Sequence, residues 1–131
     1  MSEQNIVLYY RTNNSSSQHA LEWFRAQKIK VASKQIRKIT PKNLTLALKL
    51  STNGFLDILK GKNKSKHYEQ LLGKVESMTF SESIEYLINH PDLIRTPIIL
   101  DVKKEKLLIG YNSEEIRQFI PSDYRKWQKL E

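Results

Sequence analysis

The chain has 131 residues, 39% hydrophobic and 27% charged, a composition that suits one soluble globular domain with its own hydrophobic core. It contains no cysteine, which excludes a disulfide framework, a thiolate nucleophile and a sulfur-bound zinc site, and His19, His67 and His90 lack metal-ligand spacing. The net charge of +8 is uneven: Lys28 to Lys66 holds eleven basic residues and one acid, Asp57, so this segment carries +10 and the remainder −2.

Ile6 to Tyr10 (IVLYY) is a short apolar, β-rich run, the pattern of a strand buried on both faces. The polar stretch RTNNSSSQ follows, rich in turn formers and helix N-caps. Ala20, Leu21, Trp23, Phe24 and Ala26 then supply the apolar positions of a helix through about Gln27, and Lys30 to Ile36 reads as a second strand. Strand, loop, helix and strand within forty residues make a βαβ unit.

Thr40-Pro41 pairs a capping hydroxyl with proline at the first helical position, and Leu44 to Leu50 carry that helix to Ser51. Asn53-Gly54 breaks it, with Gly54 suited to a left-handed helix C-cap. Phe55 to Leu59 resume a short apolar pattern, Gly61 to His67 is a lysine-rich connection, and a further helical piece covers Tyr68 to Leu72. Thr79 with Glu82 three residues on predicts a capping box, and His90-Pro91 ends the helix it opens. Pro97 to Leu100 and Lys106 to Gly110 read as two strands joined by a tight turn. Asn112 with Glu115 caps a last helix bearing Ile116, Phe119 and Ile120, ahead of a basic segment with Tyr124 and Trp127.

The order βαβ, helices, ββα is that of an α/β, thioredoxin-like mixed sheet with a helical insertion at about residues 40–90 in a single domain of residues 1–131. No apolar run is long enough to cross a bilayer and the first residues lack a signal layout, so the expectation is a cytoplasmic protein without a membrane partner.

Three stretches resemble the Spx family and its relatives, the glutaredoxin-linked arsenate reductases. IVLYYRTNNSSSQHALEWF (residues 6–24) resembles the family's first strand, redox loop and first helix. SMTFSESIEYLINHPDLIRTPIILD (77–101) resembles its helix, its NHP link and its Pro-Ile-Ile strand, and GYNSEEIRQFIP (110–121) its last helix entry. The resemblance implies an arsenate-reductase-like fold in which Pro97 follows a cis peptide bond. In the frame of that family, the positions of its Cys-x-x-Cys pair fall on Asn14 and Ser17. Arg95 of the family's arginine motif is present, but Thr96 stands directly before Pro97. An amide and a hydroxyl do not supply the polarizable thiolate that such chemistry uses. Ser15, Ser16 and Ser17 with nearby His19 offer a weak serine-and-base pairing, against helix capping by the same serines.

The family's other property is binding to the C-terminal domain of the RNA polymerase α subunit. By resemblance that surface centres on Gly54 beside Asn53, with Lys49 and Lys64 as flanking basic positions. The reading is therefore a redox-insensitive transcription regulator, not an enzyme, with no cofactor and no metal. It is expected to be a monomer without its partner, with promoter DNA as a neighbour of the basic insertion. The alternatives are an oxyanion-binding or reductase-like enzyme using the 14–17 loop with Arg95 as anion contact, and an adaptor for a different protein.

Overall fold

The computed structural model describes residues 5–61 and 65–121. Strand β1 (Ile6–Tyr10) leads to helix α1 (Ser15–Ala26) and strand β2 (Ala32–Gln35), followed by a 3-10 turn over Ile36–Lys38. Helices α2 (Pro41–Leu50), α3 (Phe55–Ile58), α4 (Lys66–Glu76) and α5 (Phe80–Asn89) come next. A second 3-10 turn (Pro91–Leu93), strands β3 (Ile98–Asp101) and β4 (Lys106–Ile109), and a 3-10 segment (Glu115–Phe119) complete the order.

The four strands form one mixed sheet in the order β2-β1-β3-β4. β1 and β2 are parallel, as a crossover through α1 requires, whereas β1 with β3 and β3 with β4 are antiparallel. The expected mixed α/β class is the observed one. Strand alternation divides the core between the two faces. Val7, Tyr9, Ile98 and Leu100 point to one side, where Leu44, Leu48, Tyr68, Val75 and Leu87 from the helices between β2 and β3 cover them. Ile6, Leu8, Ile99 and Leu108 point to the other, against Ala20 and Phe24 of α1 and Ile116 and Phe119 of the last turn. Phe24 and Phe119 meet there with ring centroids 5.8 Å apart. Trp23 is half-buried and sets its edge against Phe24 at 4.9 Å. Buried Tyr9 keeps its hydroxyl satisfied by accepting from the Asn43 side-chain amide at 2.8 Å.

Local signals form most helix starts. The Thr40 hydroxyl accepts from the Asn43 N–H ahead of Pro41, and Thr79 and Glu82 make both halves of a capping box. Four elements differ from the sequence reading. β2 is shorter, because only residues 32–35 pair with β1. α4 runs from Lys66 to Glu76, well beyond Tyr68 to Leu72; Ser65 caps it, and Tyr68, Leu71 and Val75 bury one face. The last helix is a five-residue 3-10 segment, although the Asn112 side chain does accept from the Glu114 and Glu115 N–H groups. Gly54 is not the C-cap of α2: that helix ends at Ser51 in extended conformation, and Gly54 stands instead at the N-cap of α3. The segment with Tyr124 and Trp127 lies outside the described residues.

Candidate functional site

The loop after β1 is built around α1's N-terminus. Asn14 is the N-cap, and its Oδ1 accepts both the Ser17 N–H and the Ser17 hydroxyl, each at 2.8 Å. The Ser17 hydroxyl is fully buried and also accepts from the Arg11 N–H at 3.2 Å. Its proton is thus held by an amide oxygen, which is no base. His19 does not approach it by hydrogen bond; its ring lies 5.5 Å from that of Tyr111. The serine-and-base pairing weighed from the sequence is not assembled, and helix capping is what the side chains do.

The same loop is joined to the segment before β3 by a residue the sequence reading passed over. Arg11 donates from Nη2 to the Pro91 carbonyl at 2.8 Å, and from Nη1 to the Ile94 carbonyl and the Thr96 hydroxyl, both at 3.2 Å. Burial pushes this guanidinium below its usual pKa, and the nearby Asp92 carboxylate opposes that shift. A threonine before Pro97 together with an arginine just after β1 was the signal that could have found this contact. The Thr96–Pro97 peptide is cis, and the Pro97 carbonyl accepts from the Gly110 N–H at 2.8 Å.

Arg95 turns the other way. Its N–H donates to the Ile58 carbonyl at 2.8 Å, and Nη2 reaches the carbonyls of Leu59 and Gly61 at 3.3 and 3.4 Å. With the Lys60 N–H donating to the Leu93 carbonyl, this forms a short antiparallel bridge between Leu59 and Ile94. The structure therefore brings Arg95 beside α3, while Arg11 is the arginine that ties the 14–17 loop to residues 91–96.

Arg95 also lines a cleft of about 400 Å³ together with Ser51, Asn53, Asp57, Glu115 and Gln118. At its rim the chain turns through Asn53 and Gly54. Gly54 has φ +61° and ψ −126°, a combination that side-chain-bearing residues rarely adopt. A Cβ built there would meet no heavy atom within 4 Å, so the space on that side of the half-buried backbone is open. Asp57 fixes the turn by accepting the Asn53 N–H at 2.9 Å. From behind, the buried Tyr68 donates its hydroxyl to the Leu56 carbonyl at 2.7 Å. Burial raises the Tyr68 pKa; Arg95 opposes the rise, and Asp57 and Glu76 add to it. Gly61 completes the support, since a side chain there would press on the Tyr68 ring at 2.9 Å. Lys49 is exposed on the last turn of α2, on the approach to Gly54, whereas Lys64 lies outside the described residues. Among the described residues no cluster of three His, Asp or Glu side chains could hold a metal, and no helix is long and apolar enough to cross a membrane.

A mixed four-stranded sheet with a parallel β1–β2 crossover through α1 and antiparallel β3 and β4 defines an arsenate-reductase-like thioredoxin fold. The fold neighbours agree. A putative ArsC family related protein from Bacteroides fragilis superposes with a TM-score of 0.65 at 19% identity, over 99% of this chain and all of that one (100%). A possible arsenate reductase from Streptococcus mutans gives 0.67 at 16% identity, over 85% and 94%. Residues 9–119 match the ArsC family. The global transcriptional regulator Spx of Streptococcus pneumoniae is 34% identical over 128 residues, 96% of this chain and 93% of that protein. The corresponding Spx 2 of Bacillus anthracis is 32% identical and Spx of Bacillus subtilis 30%, each over 96% of this chain and 95% of the relative. This chain belongs to the ArsC family, in its Spx branch, and it carries no cysteine.

Proposed function

We propose that this protein regulates transcription by docking on the C-terminal domain of the RNA polymerase α subunit. The docking face is the Asn53-Gly54 turn with Lys49, and Lys64 is a further basic position assigned to it from the sequence. Promoter DNA then lies beside the basic insertion. The observation that carries this reading is the half-buried Gly54 backbone, with open space where a side chain would stand, next to Asn53 of a polar cleft and braced from within by Asp57 and Tyr68. Such a site lets a partner's main chain or a flat side chain approach closely. The Spx relatives, named as transcriptional regulators, support it. An enzyme working through the 14–17 loop has less in its favour, because the Ser17 hydroxyl is buried and its proton is given to the Asn14 side chain.

The test is binding to the purified α C-terminal domain with Gly54→Ala and Gly54→Arg side by side. Either side chain strains the backbone at φ +61°, so alanine measures strain and arginine adds bulk and an unpaired charge. With folding checked by circular dichroism, Gly54→Arg should lose at least tenfold more affinity than Gly54→Ala. Lys49→Glu should mainly slow association, since a peripheral charge steers more than it anchors. Folded Gly54→Arg protein that binds like wild type would move the interface elsewhere. Absence of binding by the wild-type chain would replace this reading with an adaptor for a different protein.

A further inference from the structure

From Trp23 to Leu56 the chain has no acidic residue and eight basic ones. The fold gathers part of this run at the edge of the sheet. β2 is an edge strand, and the 3-10 turn after it carries the chain past the C-terminal ends of β1 and β2. There a depression of about 470 Å³ is lined by Tyr10, Ser33, Lys34, Gln35, Arg37 and Lys38. A second one, of about 230 Å³, shares Tyr10, Gln35 and Arg37 and continues to Arg11, with Asp92 as the single acid on its wall. Lys34, Arg37 and Lys38 are exposed. Arg37 donates from Nε to the Gln35 side chain at 2.7 Å, which holds the guanidinium in place at the surface. Lys34 and Lys38 make no ion pair with another described residue.

We infer that this β2 edge is a binding surface for the phosphate backbone of duplex DNA, with Lys34, Arg37 and Lys38 as the phosphate contacts. Three cations with hydrogen-bonding Ser33 and Gln35 between them suit a row of phosphates, where affinity comes from released counterions and polar contacts. A protein partner is the poorer fit. Its interface needs a desolvated apolar centre; the larger depression, which holds all three cations, is lined by no aliphatic side chain, and the apolar Ile36 and Pro91 line only the smaller one beside it. The surface is also separate from the docking face. Lys38 ends the 3-10 turn before α2 and Lys49 lies in the last turn of α2, so a ten-residue helix, roughly 15 Å long, runs between the two. A partner on Gly54 leaves the β2 edge free to meet DNA alongside. This inference extends the proposed function, but DNA binding is measured on the chain alone, so the two readings fail separately.

The experiment is fluorescence anisotropy of a labelled mixed-sequence duplex with the full chain, from about 50 to about 200 mM salt. The comparison is Lys34→Gln/Lys38→Gln against Lys103→Gln/Lys104→Gln, which removes the same charge from the β3–β4 turn. The first variant should lose about tenfold or more in affinity at the lowest salt. Its log–log salt slope should shrink by about 1.8, two phosphates at about 0.9 each. Adding Arg37→Gln should take off about 0.9 more, and the turn variant should stay near wild type. The surface is wrong if the two double variants lose affinity equally, or if the wild-type chain binds no duplex at about 50 mM salt. It is an acidic-protein site instead if polyglutamate binds as tightly as DNA and is lost in the same variant. It belongs to the polymerase interface if Lys34→Gln/Lys38→Gln abolishes docking on the α domain.

Discussion

Asn14, Ser17 and Arg11 show how the loop after β1 stays ordered by hydrogen bonds alone. Asn14 Oδ1 accepts two hydrogen bonds, both from Ser17, Ser17 accepts one from Arg11, and Arg11 carries the connection across to Pro91, Ile94 and Thr96. Removing a partner orphans the groups it served, and buried ones cost most. Asn14→Ala should therefore lower stability by about 1–2 kcal/mol, the cost of a lost N-cap, read from urea denaturation. Arg11→Ala should cost about 2 kcal/mol by the same measurement, as charge-assisted bonds to two carbonyls and a hydroxyl disappear. Arg11→Lys should recover less than half of it, because an ammonium lacks the planar fork that reaches three acceptors at once.

Among the elements, α5 has a stability that responds to acid in a predictable direction. The Glu82 carboxylate accepts the Thr79 N–H at 2.9 Å, and this backbone bond, with the side-chain bond to the same residue, lowers its pKa from the ordinary 4.5 against a small opposing effect of burial. A lowered folded-state pKa means a contribution that is whole above 4.5 and is lost as pH falls through the lower, folded value. Thermal melts of Glu82→Gln and wild type should therefore differ at neutral pH and converge as pH falls through the lowered, folded value. Thr79→Ala should cost about 1 kcal/mol at neutral pH. The start of α5 was legible because all its signals lie within four residues. The extent of α4 was not: a lysine-rich connection masks its beginning, and its apolar face is decided by packing on α3 and the sheet. Gly54 was misassigned as a left-handed C-cap for a related reason. Asn-Gly after a helix predicts a break, but not that α3 restarts from the same turn.

For the whole molecule, the lack of cysteine leaves methionine as the sulfur that an oxidant can reach. Met78, half-buried between α4 and α5, is the sulfur among the described residues, and Met1 lies outside them. A thiol-specific oxidant should leave both mass and α-domain binding unchanged, and peroxide should add oxygen only at methionine. Arsenate turnover should remain at the no-enzyme background. Turnover that Ser17→Ala abolishes would overturn the regulator reading.

The sequence by itself determined the strand cores, the caps at Thr40, Thr79 and Asn112, the absence of any thiol and the concentration of charge. Each of these depends on residue type, or on hydrogen bonds and periodicity that span a few positions. Only the tertiary structure decided that Arg11 meets Pro91, Ile94 and Thr96, that Arg95 faces α3, and that Lys34, Arg37 and Lys38 share an edge with Tyr10. Those neighbours lie up to 85 positions apart, and the register of β1 against β2 and β3 sets which of them meet. A residue's own neighbourhood in the chain carries no record of that register, because it is chosen by the burial of both sheet faces at once.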